Sequence, residues 1–498
     1  MFLASESFRT INVRIFFLAF ALILIAPLVP HAEERATRPN LVLSPGDVER
    51  IRRNIEEVGW MKDYFEGLKA GVDGWIERGV DIPKKGGEWS QNYVSPNSGR
   101  ELVYNRDEPH RHLDPGTGKY LEGEVFDGAW REIAHKENIE IALRAGLLYQ
   151  LTGDIKYAEF ARSILIRYAK SYDKYPPHGG PAGLGRITAQ SLGEARWLIG
   201  AASAFDLIAD APCMTERDRE GIINRLLLPA AGHVEVFQFG IHNIQVWHSV
   251  SMLMAALIAE KKSLADYATD DLKRQIKKGI RPEGMWYETS VGYHFFATKP
   301  FATLAAVCRN RGLELCGEPE LRNLFTAMPK LVMPDGKMPA LNDATRGRTL
   351  HESLLGLVAA RYAFDDPSLD GIIDAIGTEM RWKVDLQVFM YYVRPSTPVP
   401  EWKYPDTSVH MPGTGLTVLR RDGRYALLKY NPYSGGHDHP DKLSIIYYAG
   451  GRELFPSRGT IAYGHPLYRD WYRKTEAHNT IMVDGRQQHK AECEALDF

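Results

Sequence analysis

Residues 40–385 repeat apolar side chains at the spacing of amphipathic helices. From Asn138 to Tyr149 apolar residues recur every three or four positions, and the same period resumes from Ala158 to Tyr168. A Thr-Gly-Asp break at 152–154 separates the two runs, so together they predict a helical hairpin. The same pattern predicts further helices near 190–210, 216–232, 246–260, 264–278, 318–330 and 350–377, with a long helix that begins close to Tyr293. Serial hairpins of this kind indicate a solenoid or a closed toroid of helix pairs.

The period changes after a proline-rich stretch at 395–405, which we interpret as a linker. Apolar runs bounded by turn residues then predict strands at 415–420, 425–430, 443–448 and 480–483, with a hairpin turn at 484–487. We therefore expect an α+β multidomain chain, with a helical domain at 33–394 and an antiparallel sheet domain at 406–498. Because 484–487 has the pattern of a turn in mid-sheet, we also expect the sheet domain to continue beyond residue 498.

The N-terminus has the pattern of a secretory leader. Arg9 and Arg14 precede an apolar run at 15–26, and Pro27 and small residues lead to Ala32. The run is shorter than the ~20 residues that a membrane span requires. We expect a signal peptide at 1–32 and a periplasmic or secreted protein, and no later segment is predicted to span a membrane.

Composition excludes some partners and restricts cysteine chemistry. The 498 residues carry 61 Lys and Arg against 63 Asp and Glu, a net charge of -2 that gives no overall basic field for nucleic acid. Any polyanion must be held by local basic side chains in a cleft. The four cysteines form no CxxC pair, which argues against a thiolate zinc site. Export permits a disulfide, with Cys308 and Cys316 the nearest pair, and buried free thiols are the alternative.

Imidazole, phenol and basic side chains cluster in the C-terminal segment. His437 and His439 are two positions apart, and side chains so spaced lie on one face of an extended segment. A second cluster at 471–480 contains two aromatic rings, Arg473 and His478. Proton-transfer or metal chemistry needs such groupings. A polar loop at 86–123, long enough to be functional or disordered, adds further histidines and arginines.

These two clusters, HDHPDKLS at 437–444 and AHNTIMVDG at 477–485, resemble the heparinase II/III-like and alginate lyase superfamily of polysaccharide lyases. Further matching stretches are DGAW at 127–130, SLGEARW at 191–197, AFDL at 204–207, HNIQVW at 242–247 and EGMWYETSVGYH at 283–294. Their order and joint presence span most of the chain. The resemblance implies an α/α toroid followed by an antiparallel β-sandwich, a cleft between them, and cleavage of uronate polysaccharides by β-elimination.

β-Elimination removes the weakly acidic C5 proton of a uronate and expels the 4-O-glycosidic oxygen. The site must neutralise the carboxylate, accept the proton and protonate the leaving oxygen. The resemblance implies that Asn243 neutralises, that Tyr293 is the general acid and also a candidate base, and that His437 contacts the uronate and can act as base. It places Tyr463 near a second tyrosine that alginate lyases use as base. The structural alternatives are a helix N-cap for Asn243 and a core aromatic role for Tyr293.

Three further side chains are candidate substrate contacts. His242 stands beside Asn243, although alginate lyases of this type carry Asn before His, and His248 is an equal rival for that role. Arg186 is the third candidate, with a surface ion pair as its alternative. Either histidine has the alternative role of a structural core residue.

The resemblance also implies a structural zinc ion held by His, Asp and His. His439 and His478 match the two histidines, but Ser457 stands at the expected Asp position. Serine is a poor zinc ligand, so the third ligand is open, with Asp438 and Asp441 as candidate replacements. No organic cofactor is expected.

The function that these residues indicate is a polysaccharide lyase acting on an acidic, uronate-containing polymer or oligomer, with alginate as first choice. A glycosaminoglycan such as heparan sulfate, hyaluronan or chondroitin is the second choice. A glycoside hydrolase would need two carboxylates flanking the bond, and no carboxylate pair stands out as the His/Tyr set does. A non-catalytic carbohydrate-binding protein is the remaining alternative.

Overall fold

The computed structural model describes residues 37–180, 183–396, 398–463 and 465–493, so the predicted leader lies outside the described residues. The described α-helices are α1 (Pro45–Glu57), α2 (Gly59–Arg78), α3 (Glu124–Thr152), α4 (Ile155–Ala169), α5 (Ser191–Ile208), α6 (Glu216–Ile222), α7 (Leu228–Glu235), α8 (Asn243–Ile258), α9 (Lys262–Gly279), α10 (Val291–Arg311), α11 (Pro319–Thr326), α12 (Leu354–Phe364), α13 (Asp370–Glu379) and α14 (Leu386–Tyr391). A π-helical turn joins α6 to α7. None of the described helices is both long and apolar enough to cross a membrane.

The helices form a closed ring. Helices α3, α5, α8, α10 and α12 pack each against the next, while α4 and α9 pair with α3 and α8. The ring closes where the Tyr362 hydroxyl of α12 donates to Asp47 of α1 at 2.6 Å, and where Tyr64 of α2 stacks on Phe389 of α14. The predicted toroid of helical hairpins is confirmed.

Local signals explain the first predicted hairpin. Helix α3 ends at Gly153, which takes the left-handed conformation (φ 74°) that glycine adopts without steric cost. Asp154 then caps α4 by accepting from the Lys156 amide at 3.1 Å. The sequence therefore predicts this turn from three residues, independently of the rest of the fold.

The C-terminal part forms one antiparallel meander of strands in the order β3-β4-β5-β6-β7. The strands of the meander are β3 (Val409–Met411), β4 (Leu416–Arg421), β5 (Arg424–Lys429), β6 (Ser444–Ala449) and β7 (Arg452–Phe455). A separate short hairpin of β1 (His112–Leu113) and β2 (Tyr120–Leu121) lies earlier in the chain, in the long loop after α2. Three predicted strands correspond to β4, β5 and β6, whereas β3 and β7 were missed. Residues 398–408, after the predicted linker begins, carry no helix or strand.

The predicted strand at 480–483 is wrong. Its apolar Ile481 and Val483 side chains are 70% exposed. The Ile481 carbonyl accepts from the Gln488 side chain (Nε2) at 3.2 Å instead of from a neighbouring strand. The predicted turn that follows is present, because Val483 and Arg486 form an isolated antiparallel bridge around Asp484 and Gly485.

One face of the sheet packs on the helical ring. Tyr425, Leu427 and Ile446 belong to the same hydrophobic core as the helices, and the Tyr425 hydroxyl donates to the Leu331 carbonyl at 2.9 Å. The opposite face carries exposed apolar side chains from neighbouring strands: Leu419, Leu428, Ile445 and Phe455. Only one sheet layer of the expected sandwich lies within the described residues. The four cysteines are free thiols, as in the alternative to a disulfide.

Candidate active site

A cleft of about 650 Å³ lies where the helical ring meets the sheet domain. Its walls come from the ring helices, from the 89–91 segment of the long polar loop, and from loops at 343–348 and 460–463. Five of the predicted residues line it: His242, Asn243, Tyr293, His437 and Tyr463. The tertiary structure thus brings residues from distant parts of the chain to one cavity.

Tyr293 is positioned by the start of α10. Ser290 caps this helix and accepts from the Tyr293 amide, which fixes the ring at the cleft wall. The Tyr293 hydroxyl lies 2.6 Å from that of Tyr463, and its ring stacks on His437 with centroids 3.6 Å apart. Burial raises the pKa of both phenols well above the ordinary value of 10.0, so both hydroxyls are protonated near neutral pH.

Asn243 opens α8 but does not cap it. The cap is His242, whose Nδ1 accepts from the Ile244 amide at 3.1 Å. Burial lowers the pKa of His242, so its ring is neutral and its Nε2 carries the hydrogen. The Asn243 side chain is 2% exposed and donates from Nδ2 to Glu288 Oε2 at 3.1 Å. The N-cap alternative for Asn243 is therefore wrong, and its amide remains at the cleft.

His437 and His439 do not share one face of an extended segment, which corrects the sequence interpretation. The chain turns at 435–437, where the Asp438 amide donates to the Gly435 carbonyl, and strand β6 begins only at Ser444. His437 faces the cleft beside Tyr293 and Glu288, whereas His439 is buried against Asp343 and His478. The turn separates two histidines that strict alternation would align.

Glu288 is a site residue that the sequence interpretation missed. Its side chain is 2% exposed, and its carboxylate contacts His437 Nδ1 at 2.5 Å and Trp286 Nε1 at 2.7 Å in addition to Asn243. Thr289, the next residue, has a φ of 51°, an uncommon conformation for a β-branched residue. One feature of the sequence could have identified Glu288: it is the only carboxylate in the WYETS stretch, and a charge that is buried there requires polar partners.

Cations form a second missed group. Lys136, Arg196 and Arg348 line the cleft. Lys136 pairs with Glu132, and Arg348 pairs with Glu352. Arg196 lies over the Trp247 ring at 5.4 Å, and within the described part of the chain it makes no ion pair. Arg196 is thus the cleft cation best able to receive an anionic ligand.

Two predicted substrate contacts do not line the cleft. His248 is fully buried with Nδ1 against the Phe237 carbonyl at 3.2 Å, and burial lowers its pKa to about 4. It is a neutral core histidine, the alternative already considered. Arg186 instead donates to the Tyr175 carbonyl at 2.8 Å and lies over the Tyr172 ring, so it holds a loop near α5.

The predicted metal ligands do not line the cleft, but His439 contacts Asp343, which does. His439 Nδ1 and His478 Nε2 face each other at 3.3 Å, and a carboxylate stands behind each ring: Asp343 Oδ1 at 2.9 Å from His439 Nε2, and Asp441 Oδ2 at 3.7 Å from His478 Nδ1. Two facing imidazoles with carboxylates behind them resemble part of a zinc site.

The three candidates for the third zinc ligand are each bonded to another group. Ser457 Oγ donates to the Ala340 carbonyl at 2.6 Å, and Asp438 and Asp441 pair with the buried ammonium groups of Lys442 and Lys429. Among the described residues no group of three His, Cys, Asp or Glu side chains is arranged to hold a metal ion. A zinc site needs three or four protein ligands, so the residues present supply an incomplete set.

Comparison with known proteins finds two family models that match this chain. Residues 134–334 match the family model of alginate lyase, and residues 404–495 match that of the heparinase II/III-like C-terminal domain. The predicted resemblance to the heparinase II/III-like and alginate lyase superfamily is therefore confirmed. Both matches coincide with the cleft, because the first model covers α8 and α10 and the second covers His437 and Tyr463.

Two sequence relatives agree with that resemblance, and a solved structure shares the fold. The chain is 29% identical over 389 residues to an alginate lyase of Stenotrophomonas maltophilia (strain K279a), covering 71% of this chain and 52% of that protein. It is 26% identical over 508 aligned positions to an exo-oligoalginate lyase of Saccharophagus degradans (strain 2-40), covering 92% and 62%. The chain thus spans less than two thirds of either relative. Heparan sulfate lyase HepC from Pedobacter heparinus shares the fold at 18% identity, with a TM-score of 0.53 over 90% of this chain and 71% of that chain.

Proposed function

We propose that this protein is a polysaccharide lyase that cleaves a uronate-containing polysaccharide or oligosaccharide by β-elimination. The observation that carries the proposal is the convergence of Asn243, Tyr293 and His437 on one cleft beside Arg196. Carboxamide, phenol, imidazole and guanidinium groups are the set that the three tasks of the reaction require.

Hydrogen-bond donors at the cleft neutralise the carboxylate of the uronate substrate. Asn243 Nδ2 has a second hydrogen beyond the one that it donates to Glu288, and His242 Nε2 carries a hydrogen. Arg196 adds a full positive charge. Such donors stabilise the enolate charge that develops when the C5 proton leaves.

Tyr293 and His437, whose rings stack, transfer the protons. Because Glu288 holds the hydrogen on His437 Nδ1, the lone pair of Nε2 accepts the C5 proton. The C5–H electrons form the C4–C5 double bond, the C4–O4 bond breaks, and the Tyr293 hydroxyl gives its proton to O4. A protonated phenol is suited to this role, since burial raises its pKa. Tyr463 then passes a proton to Tyr293 through the 2.6 Å contact and, being 42% exposed, regains one from solvent, and His437 releases its proton to solvent.

A hydrolase finds less support in the same cleft. Its two lining carboxylates, Glu132 and Asp343, are already bound: Glu132 to Lys136 and Ser90, and Asp343 to His439 and Tyr468. Burial opposes ionisation of Asp343, but the His439 and Tyr468 contacts outweigh it and lower its pKa. An ionised, fully bonded carboxylate cannot donate a proton to a leaving oxygen.

Alginate is the proposed substrate, because both sequence relatives are named for alginate or its oligomers. Incubation of the protein with alginate, heparan sulfate, hyaluronan and chondroitin, followed by ultraviolet absorbance of the 4,5-unsaturated uronate, tests this. Absorbance with alginate alone supports the proposal, and absorbance only with heparan sulfate, hyaluronan or chondroitin transfers it to a glycosaminoglycan. Reducing ends without absorbance indicate hydrolysis, and binding without product indicates a carbohydrate-binding protein.

We also propose that the protein is exported to the periplasm or the medium, on the pattern of its first 32 residues. Fractionation of the native host's cells with an antibody against the protein, together with N-terminal sequencing, tests the expected cleavage near Ala32. A cytoplasmic protein that retains its N-terminus would contradict it.

A further inference from the structure

Glu288 joins the two polar candidates of the cleft through one carboxylate. Oε1 contacts His437 Nδ1, while Oε2 accepts from Asn243 Nδ2 at 3.1 Å and from Trp286 Nε1 at 2.7 Å. Within the described residues His437 is its only ion-pair partner. Each of these three neighbours faces Glu288 with a nitrogen atom, and an ionised carboxylate can only accept hydrogen bonds.

This arrangement determines which hydrogens face the substrate. Since Glu288 accepts at Nδ1, His437 must carry its hydrogen there and keep the lone pair on Nε2. Since Glu288 Oε2 takes one Asn243 hydrogen, the amide presents its nitrogen side, and the carboxamide cannot flip without placing oxygen against oxygen. We propose that Glu288 is a positioning residue that sets the tautomer of His437 and the amide orientation of Asn243 for a uronate substrate, an inference that rests on the proposed lyase function.

The backbone around Glu288 is held independently of its side chain. The Glu288 carbonyl accepts from Ser434 Oγ at 3.0 Å and from Asn342 Nδ2 at 3.0 Å. Asn342 Nδ2 also donates to the Thr289 carbonyl at 3.2 Å. A substitution that preserves side-chain shape should therefore leave the fold in place and alter only the hydrogen-bond pattern.

Glu288→Gln is such a substitution, and its outcome follows from counting acceptors. Trp286 Nε1 and Asn243 Nδ2 are both donors, so the single oxygen of glutamine must take the Oε2 position. The glutamine NH₂ then points at His437 Nδ1, which must accept. The ring changes to the tautomer with hydrogen on Nε2, and the lone pair that would remove the C5 proton is lost.

The decisive readout is ¹⁵N NMR of histidine-labelled protein, with His437 assigned by its loss in His437→Gln. We expect the Nδ1–H tautomer in the wild type and the Nε2–H tautomer in Glu288→Gln. An Nε2–H tautomer in the wild type overturns the proposal whether or not the variant folds. An unchanged tautomer in the folded variant also overturns it.

Kinetics give the second readout. In Glu288→Gln, kcat should fall by ~10²-fold or more with little change in KM, because the loss is at proton transfer.

A matched control separates this role from a structural one. Glu283, in the same segment, accepts from the Gly413 amide and from Thr414 Oγ1 outside the cleft. Glu283→Gln should leave both tautomer and kcat unchanged. If the wild type lacks lyase activity but the tautomer switches, the lyase proposal fails and the positioning role stands. If the wild type is a lyase and Glu288→Gln retains both tautomer and kcat, the positioning role alone fails.

Discussion

The hydroxyl groups of Tyr293 and Tyr463 meet at 2.6 Å although the two residues are 170 positions apart. One phenol belongs to the ring helix α10 and the other to a loop of the sheet domain, so the contact crosses the cleft. Each hydroxyl offers the other a hydrogen-bond partner, and burial raises the pKa of both. The two hydroxyls therefore form a path for protons from Tyr293 in the cleft to Tyr463, which is more exposed.

Tyr293→Phe tests the acid role at this contact. The substitution removes only the hydroxyl and retains the stacking on His437, so kcat on alginate should fall by ~10²-fold or more while binding and folding persist. The control is Tyr287→Phe, because Tyr287 packs on Trp286 and does not line the cleft. Near-normal turnover of folded Tyr293→Phe would assign Tyr293 to the core aromatic role.

Arg196→Met should weaken substrate binding rather than chemistry. Loss of a charge-assisted contact to a uronate carboxylate is worth ~1.5–3 kcal/mol, so KM should rise roughly 10- to 100-fold. Initial rates over a range of alginate concentrations measure this. Arg217→Met on the exposed surface of α6 is the matched control and should leave KM unchanged. A KM equal to that of the control would remove Arg196 from the substrate site.

Stability should fall as the pH is lowered from about 6.5 towards 4. Burial lowers the pKa of His135 and His248 to about 4 and that of His294 to about 3. Their unfolded forms titrate near 6.5, so the unfolded state binds more protons across this window. Between the folded and unfolded pKa values, each histidine makes the free energy of unfolding fall by up to about 1.4 kcal/mol per pH unit. Its contribution to stability is present in full above pH 6.5 and is lost as the pH falls towards the folded pKa.

Thermal unfolding midpoints at pH 7, 6 and 5 measure that slope. His248→Gln should lower the midpoint at pH 7 and make the decline towards pH 5 shallower than in the wild type. His233→Gln, near the surface, should retain the wild-type decline. A His248→Gln protein with an undiminished decline would show that this ring titrates normally in the folded state.

Metal removal is expected to have little effect on this chain, because Ser457 bonds to the Ala340 carbonyl instead of completing a ligand set with His439 and His478. A chelator should leave the thermal midpoint unchanged, and elemental analysis should find less than one zinc ion per chain. Ser457→Asp restores the carboxylate that the resemblance places here, and zinc should then raise the midpoint. Bound zinc at one equivalent in the natural chain would contradict this prediction.

Sequence motifs predicted several residues that line the cleft, because each motif is a short stretch that can be read without the rest of the fold. Asn243, Tyr293 and His437 lie within recognisable motifs, and each lines the cleft. His248 was grouped with them as a rival to His242 for the substrate contact, because both histidines stand close to Asn243 in sequence. The structure buries it, since α8 turns that side of the helix into the core.

By itself, the sequence determined the helical hairpins and the hairpin of β4 and β5, since periodicity, caps and turn residues act within a few positions. Gly153 and Asp154 end one helix and start the next whatever lies around them. Only the tertiary structure decided that 480–483 is not a strand, and that Glu288 faces both His437 and Asn243. Those outcomes depend on which distant side chains, such as Gln488, reach a backbone or carboxylate oxygen, and such contacts leave no local period in the chain.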